Sequence, residues 1–301
     1  SLSIYMKILL LGANGQVGWE LQRSLAPLGQ INSCDRNTLD IGNFEILRRF
    51  TRDYRPDVIV NAAAYTAVDR AESEINSASR INADSVAVLA EEAKKINACL
   101  VHFSSDYVFD GTKLNAYLEI DKTNPQSIYG KTKLQGEKAI KESECDHLIF
   151  RTSWIYSARR SNFVKTIIRL AKEQDELTVV DDQLGVPTSA ELVADVTALC
   201  LNQITQENIL IPNFNGTYHL TPSGKTSWHG FAKYIILESL RHGASFIAKP
   251  ENIIPISTSD FPSPAKRPSN SQLDTQKLRD TFKLTLPPWQ THVKRLITEI
   301  H

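Results

Sequence analysis

Tyr129-Gly-Lys-Thr-Lys133 sets a phenol and an ammonium four residues apart, and on a helix that spacing turns both to one face. A tyrosine with its ordinary pKa of ~10 is a reluctant acid or base at neutral pH, but a nearby ammonium stabilises the phenolate and is expected to lower that value. The two together form a candidate proton-transfer couple. Asn124-Pro125 and Ser127, just before them, supply a stop and an N-cap for the helix they need. Upstream, His102-Phe-Ser104-Ser105-Asp106-Tyr107 closes an apolar run with hydroxyls, and Ser105 there can hydrogen-bond a carbonyl oxygen. Each feature also has a plainer explanation. Tyrosine and lysine fall four apart by chance on many helix surfaces, and Ser and Asp commonly end strands. The chemical reading gains its weight from their order along the chain and from what precedes them.

A glycine-rich turn precedes them. Gly12-Ala-Asn-Gly15-Gln-Val-Gly18 follows an apolar run and opens a helical pattern, the context a dinucleotide-binding turn requires. Gly12 permits the tight turn, Gly15 lets backbone approach a pyrophosphate, and Gly18 allows close helix–strand packing, while free N–H groups at the helix start receive negative charge. The spacing is GxxGxxG where the usual fingerprint is GxGxxG, so placement carries the weight. Asp35 follows the second apolar run, where an acid bonds the adenosine ribose hydroxyls, and Arg36 beside it could neutralise a 2′-phosphate. These adjacent signals oppose each other, so the residues leave both NADH and NADPH open. Asn61-Ala62-Ala63-Ala64 ends the third run with side chains small enough for a cofactor to cross the sheet edge, although ordinary packing uses small residues too.

The elements that must position these groups read as alternating β and α. Strands are predicted at Lys7–Leu11, Gln30–Cys34, Asp57–Asn61, Cys99–Ser104 and His147–Arg151, and helices at Gln16–Leu28, Phe44–Tyr54, Ala78–Ile96 and Ser127–Ser143. This order predicts an α/β fold with a doubly wound parallel sheet of Rossmann type and right-handed crossovers. Residues 6–151 would form mainly the dinucleotide-binding domain. Residues 152–301 would form mainly a smaller C-terminal substrate-binding lobe, with the chain free to cross between the two. Pro187, Pro212, Pro222, Pro250, Pro255 and the cluster Pro262-Ser-Pro264-Ala-Lys-Arg-Pro268 punctuate that second half, and the cluster by composition alone is a surface loop.

Composition narrows the function classes. Of 301 residues 42% are hydrophobic and 23% charged, enough for a sizeable core. Lys+Arg and Asp+Glu are equal at 34 each, so no net field draws the molecule to nucleic acid or an anionic membrane. Cys34, Cys99, Cys145 and Cys200 form no CxxC pair, which argues against a zinc site and a disulfide framework and suits a reducing compartment, the cytoplasm. The run Ile8–Leu11 is shorter than the roughly 7–15 apolar residues of a secretory core, and no stretch approaches the ~18 of a membrane helix. Ser1–Tyr5 precede a candidate initiator, Met6, and are read as an uncertain start without a function.

Taken together, these residues resemble the extended short-chain dehydrogenase/reductases, and within them the dTDP-4-dehydrorhamnose reductases. The resemblance runs through GANGQVGWELQRSLAPLG, RPDVIVNAAAYTAVDRAE, SSDYVFDG, YGKTKLQGEKA, FRTSWIY, FVKTIIRLA, DQLGVPTSAEL and RPSNSQLD, nearly the whole chain. It implies NADPH or NADH as cofactor and reduction of the C4 ketone of dTDP-4-dehydro-L-rhamnose to dTDP-L-rhamnose, a cell-surface polysaccharide precursor. By the same resemblance, Ser105, Tyr129 and Lys133 are catalytic. Gly15, Gln16 and Val17 meet the cofactor pyrophosphate, Asp35 its adenosine ribose, and Asp40 and Ile41 its adenine. Ala64, Tyr65 and Thr66 line its path, Tyr129 and Lys133 meet its nicotinamide ribose, and Ser105, Asp106, Trp154 and Arg267 hold the dTDP-sugar. Ser105 departs from the threonine usual at its position, keeping the hydroxyl and losing a methyl.

Two rival readings share the fold. A sugar-nucleotide epimerase or dehydratase would use the same triad, but in dehydratases the strand-four hydroxyl is typically followed by two acids, whereas Asp106 is followed by Tyr107. A non-catalytic subunit resembling the methionine adenosyltransferase beta subunit would have no need of Ser105, Tyr129 and Lys133 together. Some related reductases form magnesium-bridged dimers through acids. Glu191 matches one such acid, but Trp289-Gln290-Thr291-His292 lacks the others, so the expectation is a monomer or weak homodimer with no bridging metal, no nucleic-acid partner and no membrane.

Overall fold

A computed structural model describes residues 5–205 and 213–301. Ser1–Ile4, within the uncertain start, and Pro212 lie outside the described residues. The first half alternates β1 (Met6–Leu11), α1 (Gln16–Leu25), β2 (Gly29–Cys34), α2 (Phe44–Tyr54), β3 (Val58–Asn61), α3 (Val68–Ala71), α4 (Ile75–Ser79), α5 (Ser85–Ile96), β4 (Cys99–Ser105), α6 (Ile128–Ser143) and β5 (His147–Thr152). The second half adds β6 (Ile155–Tyr156), α7 (Phe163–Glu173), β7 (Leu177–Val180), β8 (Leu184–Gly185), β9 (Thr188–Ser189), α8 (Ala190–Ile204), β10 (Gly216–His219), β11 (Thr226–Ser227), α9 (Trp228–Arg241), β12 (Ile253–Ile256), α10 (Gln276–Phe282) and α11 (Gln290–Ile300).

Six strands form one parallel sheet in the order β10-β5-β4-β3-β1-β2. Their uninterrupted apolar runs follow from burial on both faces. Along β1, Ile8 and Leu10 pack with Leu21 and Leu25 of α1 and with α8 and α10, while Leu9 and Leu11 pack with Leu47 of α2, Leu89 of α5 and Ile140 of α6. Helices therefore cover both faces, as the alternation predicts. A separate core in the second half gathers Tyr156, Ile167, Phe231, Ile235, Trp289 and Val293 between α7, α9 and α11. Because every strand of the main sheet runs the same way, the carboxyl ends of β1, β3, β4 and β5 share one edge, with Leu11 beside Asn61, Asn61 beside His102, and Ser105 beside Thr152.

Three details depart from expectation. The helix expected over Gln16–Leu28 ends at Leu25, and residues 26–28 tighten into a 3-10 turn around Pro27, which has no N–H to continue the ladder. The helix expected over Ala78–Ile96 begins at Ile75 and is interrupted by a π-helical turn, Arg80–Asp84, of the kind that recurs at functional sites. The sixth strand, β10, comes from residues 216–219 and pairs with β5, and α8 and α10 also return to the sheet. Four residues carry too little periodicity to announce such a strand.

Candidate active site

At the edge between β1 and β3 the chain reverses its direction of travel across the sheet, and there the glycine turn stands opposite Ala62–Thr66. Gly12 has φ +75°, and a Cβ on Gly18 would overlap the Gly12 carbonyl oxygen, so this turn and the start of α1 fit together only without side chains. A Cβ at Gly15 would come no closer than 3.4 Å to anything, so the space over the turn is open. Helix α1 has no side-chain cap, which leaves its first amides for a ligand. A cleft of about 1000 Å³ runs from here along Asp35, Arg36, Asp40, Ile41 and Ala64–Thr66.

Asp35 is fastened by its neighbours. Its Oδ1 accepts from the amides of Asn37 (2.9 Å) and Thr38 (3.0 Å), and its Oδ2 accepts from Asn14 Nδ2 at 2.7 Å. These bonds, the Thr38 amide first, hold its pKa below the ordinary carboxylate value. Arg36 is exposed on the cleft and has neither hydrogen bond nor ion pair among the described residues. Asp40 Oδ1 accepts from the Gly42 amide (2.9 Å) and the Ile41 carbonyl accepts from Ser85 Oγ (2.8 Å), so this floor of the cleft is held by α5. Gln16 Oε1 accepts from Ser157 Oγ at 2.8 Å, and Val17 packs against the core.

The second group of residues meets at the ends of β4 and α6. Ser127 caps α6, its Oγ accepting from the Gly130 amide at 3.1 Å, and the Ile128 amide donates to Glu72 Oε2 at 2.8 Å. A Cβ on Gly130 would overlap the Tyr107 carbonyl oxygen; the missing side chain lets α6 seat its first turn against the Asp106–Val108 turn. Tyr129 is thereby packed edge-on against Tyr107, with ring centroids 5.4 Å apart, and faces Ser105 and Asp106. Ser105 Oγ donates to Asp106 Oδ1 at 3.1 Å and accepts from the Tyr107 amide at 3.1 Å. One turn along α6, Lys133 Nζ donates to the Phe103 carbonyl at 2.6 Å.

Burial dominates the electrostatics. It pushes Tyr129 up to about 12, helped by the Asp106 carboxylate and opposed by the Ser105 hydroxyl. The expected lowering by Lys133 is not what the structure gives: the ammonium is anchored on a backbone carbonyl, and desolvation of the phenol outweighs it. Lys133 itself is lowered to about 8 by desolvation, against the pull of Glu137. Asp106 is raised to about 6 by burial, opposed by the neighbouring Ser271 and Ser105 hydroxyls, and its Oδ2 is buried without a partner. At neutral pH the site therefore holds a protonated phenol beside a carboxylate and an ammonium.

Of the residues expected on the substrate side, Trp154 adopts a left-handed backbone (φ +47°) and stacks on Trp228 at 3.7 Å. Arg267 is paired, its guanidinium donating to both Asp69 oxygens at 2.7 and 3.1 Å. The Ala265 amide adds a third bond to Asp69 at 3.1 Å, so the proline cluster is a loop clipped to α3. This pair, with the Arg267 hydrogen bond first, lowers the Asp69 pKa.

Beyond the residues expected from sequence, Asn82, Glu137 and Asp69 also shape the site. Asn82 is buried in the π turn, where it accepts from the Tyr65 amide (2.9 Å) and donates to the Tyr65 carbonyl (3.1 Å) and Thr132 Oγ1 (3.1 Å). It thus ties the cleft to the helix bearing Tyr129 and Lys133. Glu137, fully buried, takes two bonds from Arg151 and one from Ser104. Its place four residues after Lys133 was a usable signal.

Residues 6–301 match the family described as RmlD substrate binding domain. A dTDP-4-dehydrorhamnose reductase of Shigella flexneri is 47% identical over 299 residues, covering 98% of each chain. Among solved structures, a dTDP-4-dehydrorhamnose reductase of Clostridium acetobutylicum has a TM-score of 0.88 at 39% identity, covering 98% of this chain and 99% of that one. Another, of Bacillus anthracis in complex with NADP, has a TM-score of 0.87 at 35% identity, covering 98% and 100%. The chain belongs to the RmlD substrate binding domain family.

For a member of the RmlD family, the open cradle over Gly15, the uncapped start of α1 and the fastened Asp35 fit a dinucleotide. Glu191 is paired with Arg295 at 3.2 Å, and among the described residues no group of three or more His, Cys, Asp or Glu is arranged to hold a metal ion. No helix among the described residues is long and apolar enough to cross a membrane.

Proposed function

We propose that this chain is an NAD(P)H-dependent oxidoreductase that reduces the C4 ketone of dTDP-4-dehydro-L-rhamnose to dTDP-L-rhamnose in the cytoplasm, acting as a monomer or weak homodimer. The observation that carries this reading is the meeting of Tyr129 with Ser105 and Asp106 at the carboxyl end of β4, on the sheet edge that also carries the glycine turn. Bound NAD(P)H supplies hydride to C4. Gly12, Gly15, Gln16 and Val17 hold its pyrophosphate, Asp35 and Arg36 its adenosine ribose, Asp40 and Ile41 its adenine, and Ala64, Tyr65 and Thr66 the path between.

Ser105 hydrogen-bonds the ketone oxygen and orients it toward Tyr129. The phenol gives its proton to the same oxygen as negative charge develops there, and Lys133, anchored on the Phe103 carbonyl, meets the nicotinamide ribose. A pKa of about 12 suits this direction, because the donor is loaded at neutral pH and still more acidic than an alcohol. Asp106 accepts hydrogen bonds from sugar hydroxyls through its unpartnered Oδ2. Trp154 and Arg267 bind the rest of the nucleotide from the substrate-side lobe, formed mainly by residues 152–301, and Arg267 shares its charge between Asp69 and the substrate diphosphate.

The test is loss of NAD(P)H absorbance with purified protein, in the presence and absence of dTDP-4-dehydrorhamnose. Oxidation that depends on the sugar is expected, with dTDP-rhamnose as product. A protein that binds cofactor yet leaves the sugar unreduced would sink the proposal.

A further inference from the structure

We infer that Arg159 and Arg160, contributed by the second half of the chain, close over the glycine turn and hold the cofactor's diphosphate. Both guanidinium groups converge on one residue of that turn: the Asn14 carbonyl accepts from Arg160 Nε at 2.5 Å and from Arg159 Nε at 3.2 Å, and Asn14 Oδ1 accepts from Arg159 Nη2 at 3.5 Å. Arg159 is also stacked over Trp19, 4.1 Å from the ring centroid, one turn into α1. Neither arginine has a carboxylate within ion-pair distance among the described residues. Two like charges brought to one carbonyl repel each other unless an anion joins them, and the uncapped start of α1 beside them favours an anion for its own reasons.

The segment is built to stay there. Arg160 has φ +62°, a conformation rarely adopted by a residue with a side chain, and its carbonyl accepts from Lys165 Nζ at 3.1 Å. Ser157 Oγ and Asn162 Nδ2 both donate to Gln16 Oε1, at 2.8 and 3.3 Å. Arg160 lines the cleft together with Gly12, Asn14 and Gly15. Only β6 separates Trp154 from Ser157, so the cofactor contact and a residue proposed for the sugar nucleotide share one short stretch of backbone.

This inference rests on the nicotinamide-cofactor reading, and its test measures cofactor binding alone. The full-length protein is titrated with NADPH and with NADH, without sugar, by cofactor fluorescence and calorimetry. Arg160→Ala should weaken both cofactors by about tenfold and by the same factor, since the diphosphate is common to them. The Arg159→Ala/Arg160→Ala double variant should lose about a hundredfold and show a shallower dependence on salt between about 50 and 300 mM. Arg160→Lys should recover part of the loss. Melting temperature without cofactor monitors folding, and the lysine variant keeps the charge if the alanine variant folds poorly. Unchanged affinity for both cofactors overturns the inference. A loss confined to NADPH also overturns it, moving the arginines to the 2′-phosphate. A parent protein that binds neither cofactor overturns this inference and the cofactor reading together.

Discussion

Glu137→Gln should cost this protein more stability than the loss of a hydrogen bond. Glu137 and Arg151 have side chains 0% and 2% exposed and are joined by bonds of 2.6 and 3.0 Å. Ser104 Oγ donates to the same carboxylate at 2.5 Å, and Arg151 Nη1 lies 3.3 Å from His219 Nε2. The amide keeps the volume, removes the charge and turns an N–H₂ group toward donors that have no other acceptor. Stranding a buried guanidinium in this way costs ~3–5 kcal/mol, against ~1–3 for an unsatisfied polar group alone. For a large domain each kcal/mol moves the melting temperature by about 2 °C, so a drop of roughly 6–10 °C is expected in circular dichroism melts. Arg151→Met in the same chain removes the stranded charge, and the double variant should regain most of the loss. A single variant within ~2 °C of the parent, or a double variant no better than the single, would refute the reasoning.

Tyr129→Phe should retain cofactor binding and lose ~10²–10⁴-fold in turnover; near-parental reduction of the 4-keto sugar would remove Tyr129 from the proton-donor role. Activity should fall as pH rises through about 8, because the lowered pKa of Lys133 strips its ammonium there, and Glu137→Gln, by deleting the charge that opposes burial, should move that limb to lower pH; a flat profile to pH ~10, the ordinary lysine range, speaks against it. Both cofactors should work within about tenfold, ~1.4 kcal/mol, with Asp35→Ala shifting preference toward NADPH and Arg36→Ala toward NADH; kcat/KM ratios decide, and an Arg36→Ala ratio equal to the parent's rules out charge neutralisation. Light scattering should give the same size with and without EDTA, since Arg295 occupies Glu191; a dimer that EDTA dissociates would overturn that.

What was legible in the sequence was local. The five strands of the first half announced themselves because strands buried on both faces must be continuously apolar, and the glycine turn because its function needs missing side chains at fixed offsets. Tyr129 and Lys133 share a face by helical geometry alone, and the motifs spread through GANGQVG, SSDYVFDG and YGKTK carried the family. Tertiary structure decided the rest. The sixth strand comes from residues 216–219 and is recognisable only once β5 offers it an edge. Asn82 matters because a π turn aims it at Tyr65 and Thr132, 17 and 50 residues away. Asp69 meets Arg267 across 198 residues, and Arg160 meets Asn14 across 146. The direction of the Tyr129 pKa shift likewise escaped the spacing argument. Proximity to lysine can be read from a four-residue interval, but desolvation depends on what the fold packs around the phenol, and in this protein burial by Tyr107 and its neighbours is the larger effect.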